Sequence, residues 1–125
     1  NKYSSTNNIK ASEFIEFDQE TLSIYKHTKV KRFNWTDMRD IVIRVHDFNG
    51  EVSRGSDQIL NTNYGTLNYI SFNLNSEQHR YHFYLKDSLD KEALINLIEN
   101  SLKPILTQSK RLKTLNIRAT DSFYN

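Results

Sequence analysis

Residues Asp87 to Lys103 read DSLDKEALINLIENSLK, the one long stretch whose apolar side chains recur at helical spacing. Leu94, Leu97, Ile98 and Leu102 form the stripe, flanked by Ile95 and Ala93, while Lys91, Glu92, Asn96, Glu99 and Asn100 fall mostly on the opposite side. Asp87 or Ser88 is placed to accept from the first free amides, and Asp90 and Glu92 suit the positive end of the helix dipole. Pro104 lacks an amide hydrogen and crowds the carbonyl four residues back, so the helix is expected to stop or kink near Lys103. Everything upstream has the period of short strands. The helix is therefore expected to cover the sheet those strands make.

The strands follow from alternation. In ASEFIEFD (residues 11–18), Ala11, Ile15 and Phe17 share one face and Phe14 the other. Leu22 and Ile24 then alternate with Ser23 and Tyr25, and Phe33 and Trp35 with Arg32 and Asn34, around a link at His27-Thr28-Lys29 that makes the two runs a hairpin. Trp35 to Asp40 reads as one helical turn or a tight corner, with Asp37 as its cap. Ile41, Ile43 and Val45 oppose Val42, Arg44 and His46, and Asn49-Gly50 is the strongest turn signal in the chain. Glu51 to Gly65 is long and polar, either a functional loop or one hiding a short strand. Beyond it Tyr69 and Ser71 alternate with Ile70, Phe72 and Leu74, and after a turn at Asn75-Ser76-Glu77 the residues Tyr81, Phe83 and Leu85 oppose Arg80, His82 and Tyr84. Residues 1–9 read as a flexible lead-in, 10–104 as the domain, and 105–125 as a basic tail or short second helix.

The 125 residues suit one domain able to bury a core without staples, and the 17 basic against 15 acidic side chains leave a formal charge of +2. That balance gives no global field toward nucleic acid or an anionic membrane, so any such preference must be local. The absence of cysteine removes thiol catalysis and thiolate metal sites. No apolar run reaches the roughly 18 to 20 residues that span a bilayer.

Six or seven short antiparallel strands, an aromatic corner and one amphipathic helix give a mainly β (α+β) fold, a bent sheet or barrel capped by the helix. This order resembles the bacterial pleckstrin-homology-like domains over roughly Lys10 to Lys103. The residues that carry the resemblance are Ile15-Glu16-Phe17-Asp18, Leu22-Ser23-Ile24, Phe33-Asn34-Trp35-Thr36-Asp37-Met38, Ile41-Val42-Ile43, Tyr81-His82-Phe83-Tyr84-Leu85 and the helix. The Glu51 to Gly65 insertion departs from the plainest members. The resemblance implies a non-catalytic module that binds an anionic lipid head group, a peptide or a neighbouring domain, and that works in the cytoplasm at the inner membrane face as part of a longer chain.

The densest local charge is Lys26, His27, Lys29, Lys31 and Arg32 around the hairpin. Cations on one loop hold phosphate oxygens through charge-assisted bonds; lysines there also serve simply to protect a sheet edge. A second basic set lies in the tail, at Lys110, Arg111, Lys113 and Arg118. The expected partners are thus an anionic membrane lipid or a protein, with nucleic acid disfavoured. The rings of Tyr69, Phe72, Tyr81, Phe83 and Tyr84 read as core and cross-strand packing rather than base-stacking platforms. No metal or cofactor is called for: His79 and His82 point to opposite faces of a strand, and His27 and His46 lack acidic ligands at usable spacing. The carboxylate pairs Asp37/Asp40 and Glu13/Glu16 stand without a nucleophile motif or phosphate loop, so the chain reads as no enzyme. Two rival readings remain, a small-ligand or catalytic barrel with its site under residues 51–65, and a module for protein assembly.

Overall fold

Strands β1 (Lys2–Ser4), β2 (Glu13–Phe17), β3 (Thr21–Lys26) and β4 (Lys29–Asn34) form an antiparallel meander in the computed structural model, which describes residues 2–5, 13–55 and 59–121. A single 3-10 turn, Trp35–Asp37, carries the chain into β5 (Arg39–Val45). There β5 pairs with β8 (Asn68–Leu74) and β8 with β9 (Glu77–Phe83), both antiparallel, while β6 (Asn49–Arg54) and β7 (Leu60–Tyr64) make a separate hairpin between β5 and β8. Helix α1 (Ser88–Leu97), a widened turn (Ile98–Leu102) and α2 (Lys103–Gln108) follow as one continuous rod, and β10 (Leu112–Ile117) is the last described element.

The molecule is mainly β, with bent sheets and one C-terminal helix, and the sheets do not close into a barrel. Ile15, Phe17, Leu22 and Phe33 from the first sheet and Ile41, Ile43, Val45, Ile70, Phe72 and Phe83 from the second belong to one buried core. Each set shares a strand face, so the period-2 pattern alone brings the two layers together. Phe17 is central: its ring lies 5.2 Å from Phe83, 6.2 Å from Tyr3 and 6.4 Å from Trp35 between centroids. Leu94, Ile98, Leu102 and Leu106 press into the same core.

Those four helix residues recur every four positions, which drifts about 40° per step around a 3.6-residue turn. The widened turn, in which the Lys103 amide donates to the Ile98 carbonyl, lies in the middle of the stripe and reduces the drift. It also corrects the expected stop near Lys103. Pro104 sits in the first turn of α2, where its missing amide costs little, so the helix continues to Gln108. At the other end the Asp87 carboxylate accepts from the Asp90 amide at 2.9 Å, the expected cap.

Several expectations need correction. Lys2–Ser4, placed in a flexible lead-in, pairs with β2 and buries Tyr3; the lead-in's remaining residues, 1 and 6–9, lie outside the described set, as does Ala11. Of the stretch expected as a basic tail or a short second helix, residues 105–108 are helical in α2, and β10 then adds to the edge of β5, the one parallel pair among the described residues. Asn49-Gly50 does turn the chain, the Glu51 amide donating to the Phe48 carbonyl at 3.0 Å with Gly50 at φ 86°, and this turn falls inside the first residues of β6, at a register shift. Asp37 accepts from the Asn34 side-chain amide at 3.4 Å and caps no helix. The strand count is ten among the described residues against the six or seven expected; β1, β10 and the two strands of the hairpin are the four beyond six.

Gly65 closes the β6–β7 hairpin against its neighbours. At φ 78° it lets the backbone pass so close that a Cβ would lie 2.5 Å from the Leu85 carbonyl oxygen and 2.8 Å from the Asn49 nitrogen.

Candidate functional site

Lys26 and Lys29 are cross-strand partners, as are Ile24 with Lys31 and Leu22 with Phe33. All six therefore project from one face of the β3–β4 hairpin, the face that Leu22 and Phe33 bury. Farther out the hairpin leaves the core, and Ile24, Lys26, His27, Thr28, Lys29 and Lys31 line a groove of about 500 Å³ whose far wall is Tyr81 of β9. His27, at φ 55°, makes the reversal possible in a two-residue loop.

The groove is cationic at its rim and apolar within. No acid lines it, and none of Lys26, Lys29 and Lys31 pairs with a carboxylate within 4.0 Å among the described residues. The nearest acid by register, Glu13 opposite Lys26, lies outside the lining set. Lys26, Lys29 and Lys31 are exposed, and lysine stems can cover an apolar wall while their ammonium groups stay in water. Burial raises the Tyr81 phenol above its ordinary range, so that ring stays neutral. Farther along the same faces Phe33, Phe72 and His79 pack ring against ring, 5.2 to 5.4 Å between centroids.

Of the five hairpin residues expected to act together, four line this groove. Arg32 does not: it pairs with Ser23 on the opposite face. The tail set is dispersed. The Arg111 guanidinium donates to the Met38 carbonyl at 2.9 Å, Arg118 donates through Nε to the His46 carbonyl at 2.9 Å, and Lys110 and Lys113 are exposed.

Arg118 leads to a cluster that sequence reasoning missed. Glu51 is fully buried; both its oxygens lie 3.1 Å from Lys91 Nζ, Arg118 Nη2 is 2.7 Å from Oε2, and the Phe48 amide donates to Oε1 at 3.1 Å. Lys91, assigned by its helical position to the solvent side, is only 1% exposed. Burial lowers its pKa, and the Glu51 carboxylate opposes that shift. Beside it, buried Asp47 accepts from the Gly65 and Leu67 amides, and buried Asn68 accepts from His46 and Asp47 while donating to the Asp47 and Gly65 carbonyls. Converging polar groups thus do gather around Glu51 and Gly65, and they pair mainly with one another.

His46 borders this cluster and is held below its ordinary pKa, first by burial, then by Arg118 and Arg44, with Asp47 pulling the other way. A depressed folded pKa means that the unfolded chain takes up the proton more readily. The associated stability is present above about pH 6.5 and is lost as pH falls through the folded value. Urea unfolding at about pH 7.5 and about pH 5.5 is expected to show a smaller acid loss in His46→Asn than in the parent; equal losses would remove His46 as the cause.

No helix among the described residues is long and apolar enough to cross a membrane, and no group of three or more His, Asp or Glu among them is placed to hold a metal ion. Comparison of the chain with family models, with characterised proteins and with solved structures gives no match.

Proposed function

We propose that the protein is a non-catalytic binding module of pleckstrin-homology-like type whose hairpin groove takes an anionic lipid head group at the cytoplasmic face of a membrane. The observation that carries this reading is the convergence of Lys26, Lys29 and Lys31 on one concave, acid-free face with an apolar wall of Ile24 and Tyr81. Ammonium groups meet the phosphate, and the apolar wall meets what the phosphate is attached to. The order of elements supports the family reading: a four-stranded meander, then β5, β8 and β9, then a helix against the core, with the β6–β7 hairpin as an insertion.

Each basic side chain near an anionic surface contributes about 1 kcal/mol, so Lys29→Glu/Lys31→Glu is expected to weaken binding to phosphatidylserine vesicles by roughly thirtyfold or more. Arg32→Glu, on the far face, is expected to change it much less. Co-sedimentation at low and raised salt checks this. Binding that is absent from the parent, or that falls equally with Arg32→Glu, would refute the groove as the site.

A further inference from the structure

We propose that the outer face of the second sheet carries a separate hollow for a phosphomonoester, formed by Arg44, Tyr69, Arg80 and His82. These residues come from three adjacent strands: Arg44 of β5 lies opposite Tyr69 of β8, and Tyr69 opposite His82 of β9, with Arg80 one outward position away on β9. Together with Thr66 and Leu67 they line a hollow of about 150 Å³. That is about five water volumes, enough for a phosphoryl group and too little for a nucleotide inserted whole.

The arginines are placed to receive a dianion. The Arg80 guanidinium carbon stands 3.9 Å from the centroid of the Tyr69 ring, which holds the fork in one plane and leaves its in-plane N–H edges for a ligand. Arg44 is fixed from the other side, its Nη2 3.3 Å from His46 Nδ1, and its Nε is buried without a hydrogen-bond partner. Neither arginine has a carboxylate within 4.0 Å among the described residues. The outward positions around them, Val42, Ser71, Gln78, Thr114 and Asn116, carry no acid. Two guanidinium forks and an imidazole around one small hollow match the charge and the several acceptor oxygens of a phosphomonoester better than the single charge of a carboxylate. A single-stranded nucleic acid fits less well, because the one tyrosine face that a base would stack on is already covered by Arg80. This hollow and the hairpin groove use opposite faces of β9, Arg80 and His82 here and Tyr81 there.

The test is an amide-resolved NMR titration with methyl phosphate at fixed ionic strength. Saturable shifts at Arg44, Tyr69, Arg80 and His82 are expected. Arg44→Gln and Arg80→Gln are each expected to reduce affinity about tenfold or more, and Arg80→Lys to reduce it too, since lysine keeps the charge and loses the fork. All these side chains lie on the outer face, so retained amide dispersion separates loss of binding from loss of fold. Phosphatidylcholine vesicles with and without phosphatidic acid identify the source. Phosphatidic-acid binding that falls in Arg44→Gln/Arg80→Gln while phosphatidylserine binding by the same variant is unchanged puts the phosphomonoester on a lipid; vesicle binding indifferent to the arginines, with methyl phosphate shifts intact, puts it on a soluble ligand. Shifts that do not saturate, that chloride reproduces, or that persist in Arg44→Gln/Arg80→Gln overturn the proposal.

Discussion

Glu51→Leu is expected to destabilise the protein by about 3–5 kcal/mol, since removing one member of a buried ion pair strands the other without water. Lys91 is the stranded group: it is 1% exposed, and its ammonium lies 3.1 Å from each Glu51 oxygen. The Phe48 amide loses its acceptor as well. Against a usual total of about 5–15 kcal/mol, a loss of that size is readily seen in urea unfolding. Lys91→Met is expected to cost less, because Glu51 keeps Arg118 at 2.7 Å and the Phe48 amide. Glu51→Leu/Lys91→Met is expected to recover much of the loss, because no unpaired ammonium then remains buried. A cost below about 1 kcal/mol for Glu51→Leu, or no recovery in the double variant, would mean that the charges reach water.

Trp35→Ala should lower stability by a similar amount, about 3–5 kcal/mol, by opening a void where the largest buried ring sits. Trp35 does more than fill space. Its indole N–H donates to the Asp18 carbonyl at 2.7 Å, its own amide donates to the Glu20 carbonyl at 3.2 Å, and its carbonyl receives the Met38 amide at 3.2 Å. The residue thus ties the β2–β3 turn to the corner that leads into β5. Trp35→Phe keeps most of the ring and leaves the Asp18 carbonyl without its donor, so a smaller loss of about 1–2 kcal/mol is expected. Far-UV circular dichroism in urea measures both; equal losses would show that the ring volume phenylalanine keeps contributes little and that the indole bond carries the effect.

Where one face of a strand is buried and the other is wet, alternation was readable, and Ile41, Ile43 and Val45 or Tyr81 and Phe83 lie where it puts them. The same parity separates Lys29 and Lys31, which share the Phe33 face, from Arg32, so the division of the basic hairpin was available in the residues before any coordinates. What escaped had weaker signals. β1 offers only Tyr3 as an apolar contact, and in β10 a register shift between Leu112 and Thr114 breaks the period that would have marked a strand. Lys91 lies three residues before Leu94, at the border of the stripe, where a long stem can turn either way; the partner that draws it inward is forty positions upstream. Arg111 and Arg118 read as surface charge for the same reason, since Met38 and Glu51 are distant in sequence. The polar run after Glu51 hid a hairpin because Asn63 binds the Glu51 carbonyl and the Ser53 hydroxyl, giving one face a polar interior.

The parallel seam between β5 and β10 also sets an order of events in time. Its first contact joins Leu112 to Ile41, so the intervening chain must already have a path around the second sheet before the seam can zip. As synthesis proceeds from the amino end, β5 is made before its outer neighbour, and of the two cations that pair with Glu51 Lys91 is made before Arg118. Of the described strands β10 is made last, and Arg118, the residue just beyond it, completes the charge cluster around Glu51.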